Sequence, residues 1–162
     1  MNAKQQNFKS QQVIVEQTLI VNADAGSVFP LLCPTREYDW IDTWKCDLIS
    51  SGSGYAEDLC VFQTNFPVFG HETWVCTTYK PDSDIVYVRF GAGWVIRLTL
   101  QLLESENTQS KWKMQFAFVS TNQQGNTLIA SQLENQIKQT WTELNKMLNY
   151  YVKTGNCMKV ES

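Results

Sequence analysis

A single histidine, His71, stands in a chain of 162 residues. No metal site can be assembled from histidine pairs, and imidazole base chemistry has one candidate. The five cysteines (Cys33, Cys46, Cys60, Cys76, Cys157) are odd in number and never take the C-x-x-C spacing of a structural zinc site. Basic residues number 13 against 16 acidic ones and are dispersed, so the electrostatic footprint of a nucleic-acid binder is missing. No apolar run approaches the ~20 residues of a membrane span. Met1 to Gln12 is polar and lacks the apolar stretch of a secretion signal. Neither Ser51-Gly52-Ser53-Gly54 nor Gly91-Ala92-Gly93 leads into a helix as a phosphate loop does, and neither is a nucleophile elbow. These absences predict no metal, no cofactor, no nucleic-acid partner and a cytoplasmic setting that keeps the thiols reduced.

What is present is 43% apolar residues, 12% of the chain being aromatic. The length suits one domain, expected over 13–155 between polar tails at 1–12 and 156–162, and buries roughly 70% of the unfolded surface. Residues 13–22 are β-branched and place Val13, Val15, Leu19 and Val21 on one face of a first strand. Asn22 or Asp24 can cap a short helix to about Leu32, which Pro30 interrupts, and Pro34 opens a second one reaching Trp40. Strands then follow at 45–51, 57–66, 72–80, 84–91, 94–104 and 111–121. In the last two, Ile96, Leu98, Leu100 and Leu102, then Trp112, Met114, Phe116 and Phe118, alternate with polar residues, as antiparallel strands with one buried face do. Leu128, Leu133, Ile137, Trp141, Leu144, Leu148 and Tyr151 recur at helical spacing and predict one long helix over 125–153, stopped by Gly155. The expected fold class is α+β: a curved antiparallel sheet of about six to seven strands wrapped on a long C-terminal helix, with two short helices after strand 1. Such a sheet and helix need not match everywhere, which opens a route to a cavity between them.

Residues 33–44, Cys-Pro-Thr-Arg-Glu-Tyr-Asp-Trp-Ile-Asp-Thr-Trp, pack Tyr38, Trp40 and Trp44 among Arg36, Glu37, Asp39 and Asp42. The element order, with this block, resembles the SRPBCC (START-like, Bet v 1-like) superfamily and its helix-grip fold, from about Val13 to Gly155. The block is similar to a CP-x-REY-x-WI-x-GW pattern of bacterial members, in the polyketide-cyclase and Hsp90-activator-like neighbourhood. Cys33, Pro34, Arg36, Glu37, Tyr38, Trp40, Ile41 and Trp44 match, and Thr43 replaces the glycine. Ser53 to Phe62 (SGYAEDLCVF), Glu72-Thr73-Trp74-Val75 and Tyr150 to Gly155 fit the same subgroup. The resemblance implies a ligand-holding fold and names no ligand.

An acid-base pair could come from the cluster Glu37, Asp39, Asp42 and Asp47, but Arg36 and Lys45 lie near enough to neutralise part of it. Arg97 shares strand parity with Thr99 and Gln101 and is expected to face water; Arg89 falls in line with Tyr87, and its direction stays open. Aromatic and aliphatic side chains make the remaining lead. The expected pocket takes Tyr38 and Trp40 from the block and Phe62, Trp74, Arg89 and Phe90 from the middle strands. Leu98, Met114, Phe116 and Phe118 from the later strands and Trp141 from the helix complete it. The leading expectation is binding of a small hydrophobic or amphipathic molecule such as a lipid, polyketide or aromatic metabolite. The alternatives are a cyclase or dehydratase using His71, Arg89 or Tyr87, and a protein-interaction module. An enzyme requires His71 or a carboxylate to face the pocket with a displaced pKa.

Overall fold

The computed structural model describes residues 7–161. Seven strands form one antiparallel sheet: β1 (Gln12–Val21), β2 (Asp47–Ser50), β3 (Val61–Phe66), β4 (Gly70–Lys80), β5 (Asp84–Phe90), β6 (Trp94–Glu106) and β7 (Gln109–Ser120), in the order β1-β7-β6-β5-β4-β3-β2. The first and last pieces of the sheet, β1 and β7, pair along their whole length from Gln12↔Val119 to Val21↔Ser110. Register shifts at Leu48/Ser50, Cys76/Thr78 and Leu102/Glu104 mark bulges, which bend strands and increase twist, and so curve the sheet. Alternation puts Val15, Leu19, Phe62, Trp74, Tyr87, Ile96, Leu98, Met114, Phe116 and Phe118 on the concave side, all buried.

That apolar face needs a cover, and three pieces supply it. Helix α1 (Ala25–Val28) runs into a 3₁₀ turn at Phe29–Leu32, then a second 3₁₀ turn at Glu37–Asp39. Helix α2 (Gln123–Ala130) follows β7, and α3 (Leu133–Thr154) lies across the sheet. From α3, Leu133, Ile137 and Leu148 are buried, while Trp141, Leu144 and Tyr151 on the same stripe are half-buried against the core. The helix is tied to β1 by Asn149 Nδ2 donating to Ile20 O at 2.9 Å and by Gln17 Nε2 donating to Lys138 O at 3.2 Å. Among the described residues no helix is long and apolar enough to cross a membrane.

Two expectations shift. The single helix expected over 125–153 is broken: the Ser131 backbone N–H turns back to Thr127 O and Leu128 O, and Gln132 sits at φ 65° before α3 begins. The strand expected from residue 57 begins only at Val61, because Leu59 also lies in the left-handed region, φ 64°. The short helices are a turn or less each, as Pro30 and Pro34 dictate. The ends are also held. Of the N-terminal tail expected over 1–12, residues 1–6 lie outside the described residues. In the rest, Ser10 Oγ donates to Ser120 O at 2.6 Å and Asn126 Nδ2 to Lys9 O at 3.0 Å. In the expected C-terminal tail, Met158 bridges to Ile41 and Lys159 Nζ pairs with Asp42 at 2.7 Å.

Candidate functional site: a buried ion pair in an aromatic interior

β4 and β5 run side by side with Trp74 opposite Arg89, and their parity turns Glu72, Trp74 and Arg89 to the concave side. Glu72 is 0% exposed and Arg89 6%. Arg89 Nη2 donates to Glu72 Oε1 at 2.5 Å, and the Trp94 indole N–H donates to Glu72 Oε2 at 3.0 Å. Taking two charges out of water is costly, and the close contact with the added indole bond offsets it. Burial still pulls the Arg89 guanidinium below its ordinary pKa, with Glu72 acting in the opposite sense. The guanidinium carbon lies 4.0 Å from the Trp74 ring centroid and 4.5 Å from that of Phe69. Arg89 Nε, also buried, has no hydrogen-bond partner among the described residues. An unsatisfied buried N–H is expensive, so this atom marks a place where an acceptor is wanted.

Aromatic rings surround the pair. Phe62 stacks on Trp74 at 5.0 Å, Tyr87 meets both edge-on, and Trp44 packs against Phe62, Phe66 and Trp74. Trp94 stacks on Phe118 at 5.9 Å. From the cover, Glu37 is half-buried and coupled to Arg89 and Tyr87. Desolvation pushes its carboxyl well above the usual range, with Arg89 opposing. The Tyr87 hydroxyl donates to Leu32 O at 2.9 Å, and burial raises its pKa well above that of free tyrosine.

A cleft of about 400 Å³ opens at the other end of β4 and β5. Phe29, Cys33 and Arg36 form one wall, Tyr55 and Glu57 another, and Tyr79 and Ile85 bring it onto the concave face. Its size is that of small-molecule sites. None of the expected pocket residues borders this cleft. The interior cluster, by contrast, gathers Phe62, Trp74, Arg89, Leu98, Met114, Phe116 and Phe118 on one buried face.

Four expected pocket residues lie outside this cluster. Phe90 is 48% exposed on the convex face, one residue out of phase with Arg89. Tyr38 is 49% exposed, and its hydroxyl holds the Cys46 backbone, accepting from its N–H at 2.9 Å and donating to its carbonyl at 3.0 Å. Trp40 is buried, but its indole N–H is committed to Leu31 O at 2.8 Å, so it braces the short turns. Trp141 is half-buried on α3. His71 is exposed on the convex face, one step out of phase with Glu72, which removes it as an interior base. Arg97 faces outward as expected and donates to Gln115. In the acidic cluster Arg36 pairs with Asp39 at 2.7 Å, while Asp42 takes Lys159 in place of Lys45. Sequence reasoning missed Glu72 as the partner of Arg89 and Trp94 as the second donor to Glu72. The signal was there: Glu72, Trp74 and Cys76 share parity, so a Trp74 turned inward carries Glu72 with it.

All five cysteines are free. Among the described residues no three His, Cys, Asp or Glu side chains are placed to hold a metal ion.

No family model matches the sequence, and no curated protein matches it. Solved structures do. The chain superposes on the ZhuI aromatase/cyclase from Streptomyces sp. R1128 with a TM-score of 0.64 at 15% identity, covering 91% of this chain and 100% of that one. At this identity the likeness is one of fold: the chain shares the helix grip of that protein, a curved antiparallel sheet closed on a long C-terminal helix. Norcoclaurine synthase from Thalictrum flavum shares this helix grip, with a TM-score of 0.64 at 11% identity over 90% of this chain and 88% of that one. DynU16, a protein of the dynemicin biosynthetic locus, gives 0.59 at 14% identity; the helix grip covers 88% of this chain and spans 48% of DynU16.

Proposed function

We propose that the protein binds a small hydrophobic or amphipathic molecule on the concave face of its helix grip. The observation that carries this reading is the buried Arg89, paired with Glu72, flanked by aromatic rings, and left with an unsatisfied Nε–H. An interior built only for stability gains little from such a pair, since packed apolar side chains of similar volume serve as well or better. A site that orients a mostly apolar ligand needs this composition: rings for the body and one or two fixed polar groups for the head. The cleft bordered by Tyr79 and Ile85 supplies ligand-sized volume on the same face. Fold neighbours named as an aromatase/cyclase and a norcoclaurine synthase support an occupied interior. Native mass spectrometry of the purified protein tests the reading, with Nile red as an added neutral probe. A co-purified mass lost on denaturation, or saturable Nile red fluorescence, is expected. A bare protein that also ignores Nile red overturns it.

One observation favours a second reading, a cyclase- or dehydratase-type enzyme. Desolvation raises the pKa of the Glu37 carboxyl, which lies within the field of Arg89, and a raised carboxyl pKa is what a general acid requires. With His71 on the outside, Glu37 is the acid such chemistry would use. Carboxyl infrared difference spectra of wild type and Glu37→Gln decide its state. A Glu37 that titrates in the ordinary carboxylate range ends the acid-catalysis reading and leaves binding intact.

A further inference from the structure

The guanidinium of Arg89 has two ring centroids within 4.5 Å, with Phe116 farther at 5.9 Å, and the two near rings are held in different ways. Trp74 is a buried β4 residue whose indole N–H donates to Thr64 Oγ1 at 2.8 Å. Phe69 comes from the turn between β3 and β4. It follows exposed Pro67 and Val68, precedes Gly70 at φ 62°, and remains half-buried. Its further aromatic neighbours are Trp94 and Phe116, with centroids at 6.1 and 6.3 Å. One wall of the stack is therefore rigid sheet, and the other is a ring delivered by a surface turn.

We propose that Phe69 is a displaceable cover, and that the site beneath it takes an uncharged planar aromatic compound bearing a carbonyl or similar oxygen on a short arm. The ligand ring replaces Phe69 against the guanidinium, and the oxygen reaches the edge of Arg89 to accept from Nε–H. This rests on interior binding as proposed above. Three features fix the chemistry. Once Phe69 leaves, a π face is what restores the lost cation–π contact. The positive charge of Arg89 is already balanced by Glu72 at 2.5 Å, so a ligand carboxylate would bring an unpaired negative charge into a buried site. The unsatisfied Nε–H asks for an acceptor that a hydrocarbon cannot offer.

An isosteric probe series separates these requirements: 2-acetonaphthone (neutral, with an acceptor), 2-naphthoate (anionic) and 2-ethylnaphthalene (no acceptor). Each is titrated by tryptophan fluorescence into wild type, Phe69→Ala and Phe69→Leu. The ketone is expected to bind wild type more tightly than either analogue by about tenfold, the equivalent of one good interaction. Phe69→Ala, by removing the cover, is expected to tighten the ketone about tenfold again. Phe69→Leu keeps apolar bulk but no π face, is expected to tighten it less, and serves if the alanine variant does not fold. Equal affinity for ketone and naphthoate, or folded Phe69 variants that bind the ketone no better than wild type, overturns the proposal. If Nile red binds wild type in that case, interior binding stands and only the role of Phe69 falls. If neither Nile red nor any naphthalene binds, both readings fall together.

Discussion

The five buried tryptophans show how polar atoms are managed inside this aromatic core. Trp40 donates to Leu31 O, Trp44 to Pro34 O, Trp74 to Thr64 Oγ1, Trp94 to Glu72 Oε2 and Trp112 to Ser110 Oγ, all between 2.8 and 3.0 Å. Each ring contributes its large apolar area without leaving an N–H unpaired. Trp94 reaches Glu72 because Gly91 lacks a side chain: a Cβ there would collide with the indole nitrogen. Glu72 is the residue on which this polar centre depends, since it accepts from both Arg89 and Trp94. Replacing Arg89 by Met strands a buried carboxylate and should cost about 3–5 kcal/mol. The double variant Glu72→Gln/Arg89→Met removes both charges together and should cost clearly less than the sum of the single changes. Urea unfolding of the wild type, the singles and the double measures this coupling. Additive losses would mean that the two side chains do not act as a pair.

At the level of elements, the left-handed residues stand out. Gln132 links α2 to α3 at φ 65° with its side chain exposed. A non-glycine residue pays about 1–2 kcal/mol in that region, and glycine avoids this while loosening the unfolded chain. Gln132→Gly should therefore raise stability by about 0.5–1 kcal/mol net, read as a higher urea midpoint at unchanged m-value. An unchanged or lower midpoint would show that the side chain is needed at the junction. The same position explains what the sequence could disclose. The strands were legible because β6 and β7 bury one face in strict alternation, and the inward stripe of α3 was legible because its period is 3.6. The break at Gln132 and the late start of β3, delayed to Val61 by Leu59, were not, since neither a glutamine nor a leucine announces a left-handed backbone. The polar centre was half legible. Arg89 was visible as an arginine in an apolar strand, but its partner lies 17 residues away across a strand pair whose register the turn alone does not settle.

Across the whole molecule, the cover and the sheet communicate through charge. The Glu37–Asp39 turn belongs to the cover, yet the desolvation that raises the Glu37 carboxyl is opposed by the charge of Arg89 on β5. Arg36, the neighbour of Glu37, is committed to Asp39 at 2.7 Å. A carboxyl whose folded-state pKa is raised binds its proton more tightly in the fold than in the unfolded chain. Its contribution is complete below the ordinary carboxylate range and is lost as pH rises toward the raised value. Asp24, Asp42 and Glu57, held low by hydrogen bonds, act in the opposite sense and gain stability as acid is removed. Comparison of wild type with Glu37→Gln cancels them. The glutamine keeps the shape and stays neutral, so the variant should match wild type near pH 4 and exceed it at pH 8. The gap should widen by up to about 1.4 kcal/mol for each pH unit crossed inside the window. Urea midpoints at pH 4, 6 and 8 measure it, and parallel pH curves for the two proteins would place the Glu37 carboxyl in water, outside the field of Arg89.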